Sequence, residues 1–286
     1  MRGSGNGSSR GCEVLVRHVV VAASFVLAAC STGGPPARPT TPTPILSVSP
    51  SRSSPSQRPG VSVVVRGVTV NLCDPCLRLA RRVGVNLPRL VRGDLARITG
   101  LLPRMRARVD VVAHRGVGPP AGVGAYTEWS TGHVHIYLHP STRDPSAAVR
   151  TWLPFTLAHE LDHAARILRG PGIDDTLLDW FVAEGMADRF ADEVFPATPP
   201  SAGDHALSAQ QTVDLWARAR PRLRDIQTIP RLRRWFIGGR GVPRWTGYTI
   251  GYDIVSEYLV RHPGATTASL VGMSPRVILR GSGLRP

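Results

Sequence analysis

The chain is 286 residues long with a formal charge of +15, and all 35 of its basic side chains are arginine. A charge of that size suits anionic surfaces such as nucleic acid, lipid headgroups or an acidic cell wall. The arginines are spread along the chain and no nucleic-acid-binding motif accompanies them, so nucleic acid is excluded as the expected partner. Their densest stretches, 218–224 and 231–234, read as solvated helix faces.

Residues 1–29 read as a signal segment. Arg2, Arg10 and Arg17 make a basic start, and 19–29 is an apolar run too short to remain as a spanning helix. Leu27-Ala28-Ala29-Cys30 resembles a lipobox, the site at which a bacterial lipoprotein is cut before an acylated cysteine. Acyl chains on Cys30, at about 0.8 kcal/mol per buried methylene, would hold the protein at the membrane, facing away from the cytoplasm. Residues 30–60 are rich in Pro, Ser and Thr and interrupted only by Ile45, Leu46 and Val48, which predicts a disordered stalk. One domain, 61–286, follows, long enough for a single core.

That domain opens with a predicted strand at 61–70. Cys73-Asp74-Pro75-Cys76 comes next and, in an exported protein, suggests a local disulfide. A thioredoxin-like redox pair is the alternative, disfavoured because too little globular sequence precedes it. Further strands are predicted at 109–113, 123–129 and 133–138, and helices at 88–102, 154–168, 176–194, 207–218 and 249–261. A loop is expected at 199–203. Strands early and helices late predict an α+β fold, with a small antiparallel or mixed sheet over an active-site helix. In 133–138, Val134, Ile136 and Leu138 share one face, while His133, His135 and Tyr137 share the other. This half-buried strand reads as a sheet edge to which an extended peptide could add. His133, His135 and His139, with no carboxylate beside them in sequence, read as surface residues rather than a second metal site.

The helix predicted at 154–168 carries His159-Glu160-Leu161-Asp162-His163. Histidines at i and i+4 share a helix face and can reach one ion. Glu160, about 100° round the helix, can approach a water beside that ion. The next helix, set off by Gly170-Pro171-Gly172, carries Glu184 in Glu184-Gly185-Met186-Ala187-Asp188. His159, His163 and Glu184 make three ligands with a fourth position left open, the pattern of a catalytic rather than a structural zinc. Asp188, one turn beyond Glu184, is the candidate partner for the other ring nitrogen of a ligand histidine. Tyr248 and Tyr252, also one turn apart, are candidates to stabilise an oxyanion.

These motifs resemble the gluzincins, zinc peptidases whose third ligand is a glutamate on the helix after H-E-x-x-H. More narrowly the chain is similar to a bacterial family of predicted zinc-dependent proteases with an E-G-[LM]-A-[DE] string and a later G-Y motif. Here those are Glu184–Asp188 and Gly251-Tyr252. The resemblance implies a zincin-like fold, one Zn2+ per chain on His159, His163 and Glu184, Glu160 as general base and Tyr252 as the preferred tyrosine. Asp162 departs from the usual uncharged residue and is expected on the outer face of its helix. The implied activity is hydrolysis of peptide bonds in a peptide or protein substrate by a membrane-anchored extracytoplasmic enzyme. A zinc amidase acting on cell-wall peptide is one alternative, and a non-catalytic metal-binding lipoprotein is the other.

Overall fold

The structure is a computed structural model that describes residues 59–115, 119, 121–172, 175–196, 198 and 206–284. The expected signal segment, Cys30, nearly all of the stalk and the loop at 199–203 lie outside the described residues. The architecture is α+β: a five-stranded mixed sheet followed by a helical region.

A hairpin opens the fold where one strand was expected. Strand β1 (Pro59–Val65) turns at Arg66 and Gly67 into the antiparallel β2 (Val68–Cys73). Both turn residues have positive φ, 48° and 93°, as a two-residue hairpin turn demands. A side chain at Gly67 would meet the Met105 carbonyl at 2.7 Å. The apolar run is continuous across the turn, so periodicity alone misses it. At the end of β2, Cys73 and Cys76 form a disulfide. The Cys73 sulfur also accepts from the Cys76 N–H, capping α1 (Asp74–Arg82). Asn86 caps α2 (Leu87–Leu101) in the same way, through Arg89 N–H.

Strands β3 (Ala107–Ala113), β4 (Val123–Thr127) and β5 (Val134–Leu138) complete the sheet in the order β1-β2-β3-β5-β4. β3 lies parallel to both β2 and β5, and β4 is antiparallel to β5. The expectation that β5 forms the edge is therefore corrected: β5 is internal and β4 is the border. Chain order and sheet order differ because a crossover carries the chain past β5 to β4 and back. Val70, Leu72, Val109, Val111, Val134, Ile136 and Leu138 are buried on one face, which α2 and the later helices cover. The other face carries Asp110, His133, His135 and Tyr137, all half-buried.

A short helix α3 (Pro145–Ala147) and a π turn, Ala148–Trp152, lead into α4 (Leu153–Arg169). Thr176 and Asp179 then form a capping box that starts α5 (Leu177–Val194). The chain continues through α6 (Ala209–Ala219), α7 (Ile229–Phe236), α8 (Thr246–Arg261) and α9 (Pro275–Gly281). Helices α1, α7 and α9 were not expected. At seven to nine residues they are too short for a helical period to stand out. No helix among the described residues is long and apolar enough to cross a membrane.

Helix α5 packs between α4 and α8. Its crossing with α8 is glycine on glycine. A Cβ on Gly185 would stand 2.1 Å from the Gly251 carbonyl group, and one on Gly251 would stand 2.0 Å from the Phe181 oxygen. Only two bare backbones fit there.

Candidate metal centre

Helix α4 lies under β4 and β5 and against α5, so nearly all of its sides are buried. His159 and His163 sit one turn apart and project toward Glu184 on α5. Their Nε2 atoms are 3.2 Å apart, and Glu184 Oε2 lies 3.4 Å from the first and 3.6 Å from the second. The five charged or polar side chains of the cluster, counting Glu160 and Asp188, are all buried.

Those three edges fit one zinc ion. Bonds of about 2.0–2.1 Å at tetrahedral angles place ligand atoms roughly 3.3 Å apart. Glu184 Oε2 is buried with no hydrogen-bond partner among the described residues, and the two imidazole Nε2 atoms beside it are close enough to share one cation with it. Burial works against the charged form of Glu184, but the neighbouring His163 and His159 outweigh it and hold the carboxyl at about 2. For His159 burial opposes the charge as well, yet Asp188 and Glu184 raise its pKa well above the usual range. Both shifts describe a pocket that draws positive charge.

Asp188 accepts from His159 Nδ1 at 2.8 Å, so the Nε2 side of that ring is the one turned to the cluster. Glu160, close enough to feel the charge of both histidines, is also held from the sheet side. The Thr127 hydroxyl at the end of β4 lies 2.6 Å from Glu160 Oε2 and 3.1 Å from the Glu160 carbonyl oxygen. Glu160 Oε1 is left without a partner among the described residues. Burial raises the Glu160 pKa, only partly countered by His159, His163 and Thr127. Trp129 stands edge-on to His163 with centroids 5.2 Å apart, and Trp180 stands edge-on to Trp129. The two indoles wall the site. Thr127, Trp129 and Trp180 carry no sequence signal, because their roles depend on how β4 crosses α4.

Two expectations are corrected here. Asp162 is fully buried rather than on an outer face, since α4 is covered on that side too. Burial lifts its pKa to about 6 against the pull of His163 and Arg166. The Tyr252 hydroxyl is held by Asp192 at 2.7 Å and Arg189 at 2.9 Å, not brought to the cluster. Asp192 lies two turns along α5 from Glu184, roughly 12 Å by helical rise. Tyr248 is buried, its ring packed edge-on against Phe236 and Trp245.

A family model described as "Predicted Zn-dependent protease (DUF2268)" matches residues 123–280, more than half of the chain. The chain belongs to this family. The match starts at β4 and runs through α9, so it spans the edge strand, the histidine helix, the glutamate helix and the glycine crossing. The chain is also similar to "Uncharacterized protein YjaZ" of Bacillus subtilis (strain 168), 29% identical over 117 residues. That alignment takes in 40% of this chain and 45% of the relative, so the chain spans a little under half the relative's length. No solved structure matches.

The histidines of β5 also depart from expectation. His133 Nε2 lies 3.0 Å from Asp110 Oδ2, and His135 Nε2 lies 2.9 Å from Glu128 Oε1. Carboxylates do accompany them: Asp110 from β3, 23 residues before His133, and Glu128 from the turn after β4, seven residues before His135. His139 is buried beside His114 rather than at the surface.

Proposed function

We propose that the protein is a zinc metallopeptidase that hydrolyses peptide bonds with His159, His163 and Glu184 as metal ligands and Glu160 as general base. The observation that carries this reading is the buried triangle of two imidazole nitrogens and one carboxylate oxygen with Glu160 beside it. A zinc ion bound there would polarise a substrate carbonyl and make a water molecule acidic near neutral pH. Glu160 would take the proton from that water and hand it to the departing amine. Asp188 fixes the tautomer of His159, and Trp129 and Trp180 exclude bulk water from one side. Strand β4, the border of the sheet above α4 among the described residues, offers its outer backbone edge to an extended peptide.

Neither Tyr248 nor Tyr252 is assigned to the oxyanion in this reading. The intact Glu160, which a structural zinc would not need, favours an enzyme over a metal-binding lipoprotein. Peptide in the cell wall is the alternative substrate class.

Glu160→Gln should keep about one zinc per chain by elemental analysis and lose peptide hydrolysis by roughly two orders of magnitude or more. Glu184→Ala should lose zinc itself. Full activity in Glu160→Gln would remove the base assignment, and a wild-type protein that refuses zinc would remove the whole reading. The same proposal places the domain outside the cytoplasm, tethered by lipid on Cys30 through a stalk reaching residue 60. Cys30→Ala should move the protein from the membrane fraction to the soluble one, and unchanged fractionation would rule the tether out.

A further inference from the structure

On the far side of the sheet from α4, the geometry points to a second metal site, for a divalent transition ion of the zinc class, built from Asp110, His133 and His135 with Glu128 held against His135. The parallel register of β3 and β5 sets Asp110 directly beside His135, and His133 two residues earlier shares its face. One ligand atom each from Asp110, His133 and His135 lies within 4.8 Å of the others. The backbone N–H of Glu128 bonds the His133 carbonyl at 2.8 Å, which brings a second carboxylate against His135.

Two imidazoles and one carboxylate, with a second carboxylate against His135, form the mixed nitrogen and oxygen set that zinc-class ions prefer. Each ring nitrogen already faces a carboxylate oxygen at 2.9–3.0 Å. Widening the His133–Asp110 separation by a few tenths of an ångström would let one ion replace the proton shared there. The ligands are also held from behind, as metal ligands characteristically are. Asn71 Nδ2 donates to Asp110 at 2.7 Å and the Thr131 hydroxyl donates to Glu128 at 2.7 Å. Tyr126 stacks on His135 with centroids 4.7 Å apart and planes 16° apart, fixing that ring. An open groove of about 990 Å³, lined in part by Asn71, Arg108, Glu128 and His133, reaches the site's edge from solvent. Arg108 pairs with the same Asp110 carboxylate but is largely exposed, and it can swing away when a cation arrives.

The test is zinc titration of the chelator-stripped full chain by calorimetry. Wild type should bind two ions, His133→Ala/His135→Ala one, and His159→Ala/His163→Ala one. The shape-preserving pair Asp110→Asn and Glu128→Gln should each weaken the outer site about tenfold or more, which covers a histidine variant that fails to fold. If only the centre on α4 fails to bind, wild type takes one ion and the His133/His135 variant none. Unchanged stoichiometry and affinity in the His133/His135 variant, or in both carboxylate variants, would overturn the second site.

Discussion

Asp188 donates nothing and binds no substrate, yet its 2.8 Å contact determines which nitrogen His159 turns to the cluster. Asp188→Asn keeps an acceptor in place but removes the charge that supports ligand basicity. Zinc affinity, measured by competition with a chromophoric chelator, should fall about tenfold, and Asp188→Ala should lose nearer a hundredfold. An unchanged affinity in both would reduce Asp188 to a packing residue. A different buried carboxylate bears on stability. Asp94 on α2 is raised to about 6 by burial, which Arg97 only partly offsets. The folded state therefore holds a proton that the unfolded chain, at about 3.9, releases first. Between those values stability falls as pH rises, and above the folded value the full cost of the charged, buried group is present. Asp94→Asn should raise Tm at pH 7, by on the order of 1–2 kcal/mol in stability, and change it little at pH 4. Equal shifts at both values would show that Asp94 is well solvated.

The joint between α5 and α8 turns two short strings of sequence into one packing device. Gly185 lies one residue beyond Glu184, and its backbone rests on that of Gly251. Gly185→Ala must push the helices apart, since the clash is with backbone that cannot rotate away. A loss of about 3 kcal/mol or more is expected by chemical denaturation, with weaker zinc retention because Glu184 moves with its helix. A variant as stable as wild type would mean that the crossing is looser than it looks. This joint also shows where sequence is informative and where it is silent. Helices α4 and α5 were legible because their apolar residues recur over 17 and 18 residues. The cluster of His159, His163 and Glu184 was legible because helical spacing is local. The position of Asp162 was not, since a charge in sequence reads as exposure and only the packing of α4 against both sheet and α5 buries it. The tyrosine after Gly251 misled for a related reason: the glycine sets helix separation, and the tyrosine points along α5 to Asp192.

At the scale of the whole molecule, strand order was the least legible feature, because no local pattern says that β4 will lie outside β5. The same blindness hid Asp110 from the histidines it meets, since β3 and β5 converge only in the folded sheet, whereas Glu128 lies only seven residues before His135. The border that β4 forms has a consequence of its own. Thr127, its last residue, holds Glu160 by a 2.6 Å hydrogen bond. A peptide joining that border would run one strand spacing, about 4.8 Å, from the backbone of the residue that restrains the base. Recognition and proton transfer would then share a mechanical part and could not be tuned independently. A ligand that gripped the border firmly enough to draw β4 away from α4 would loosen Glu160 in the same movement. Tightness of grip and speed of cutting would trade against each other, with the best substrates among those that dock without displacing the strand.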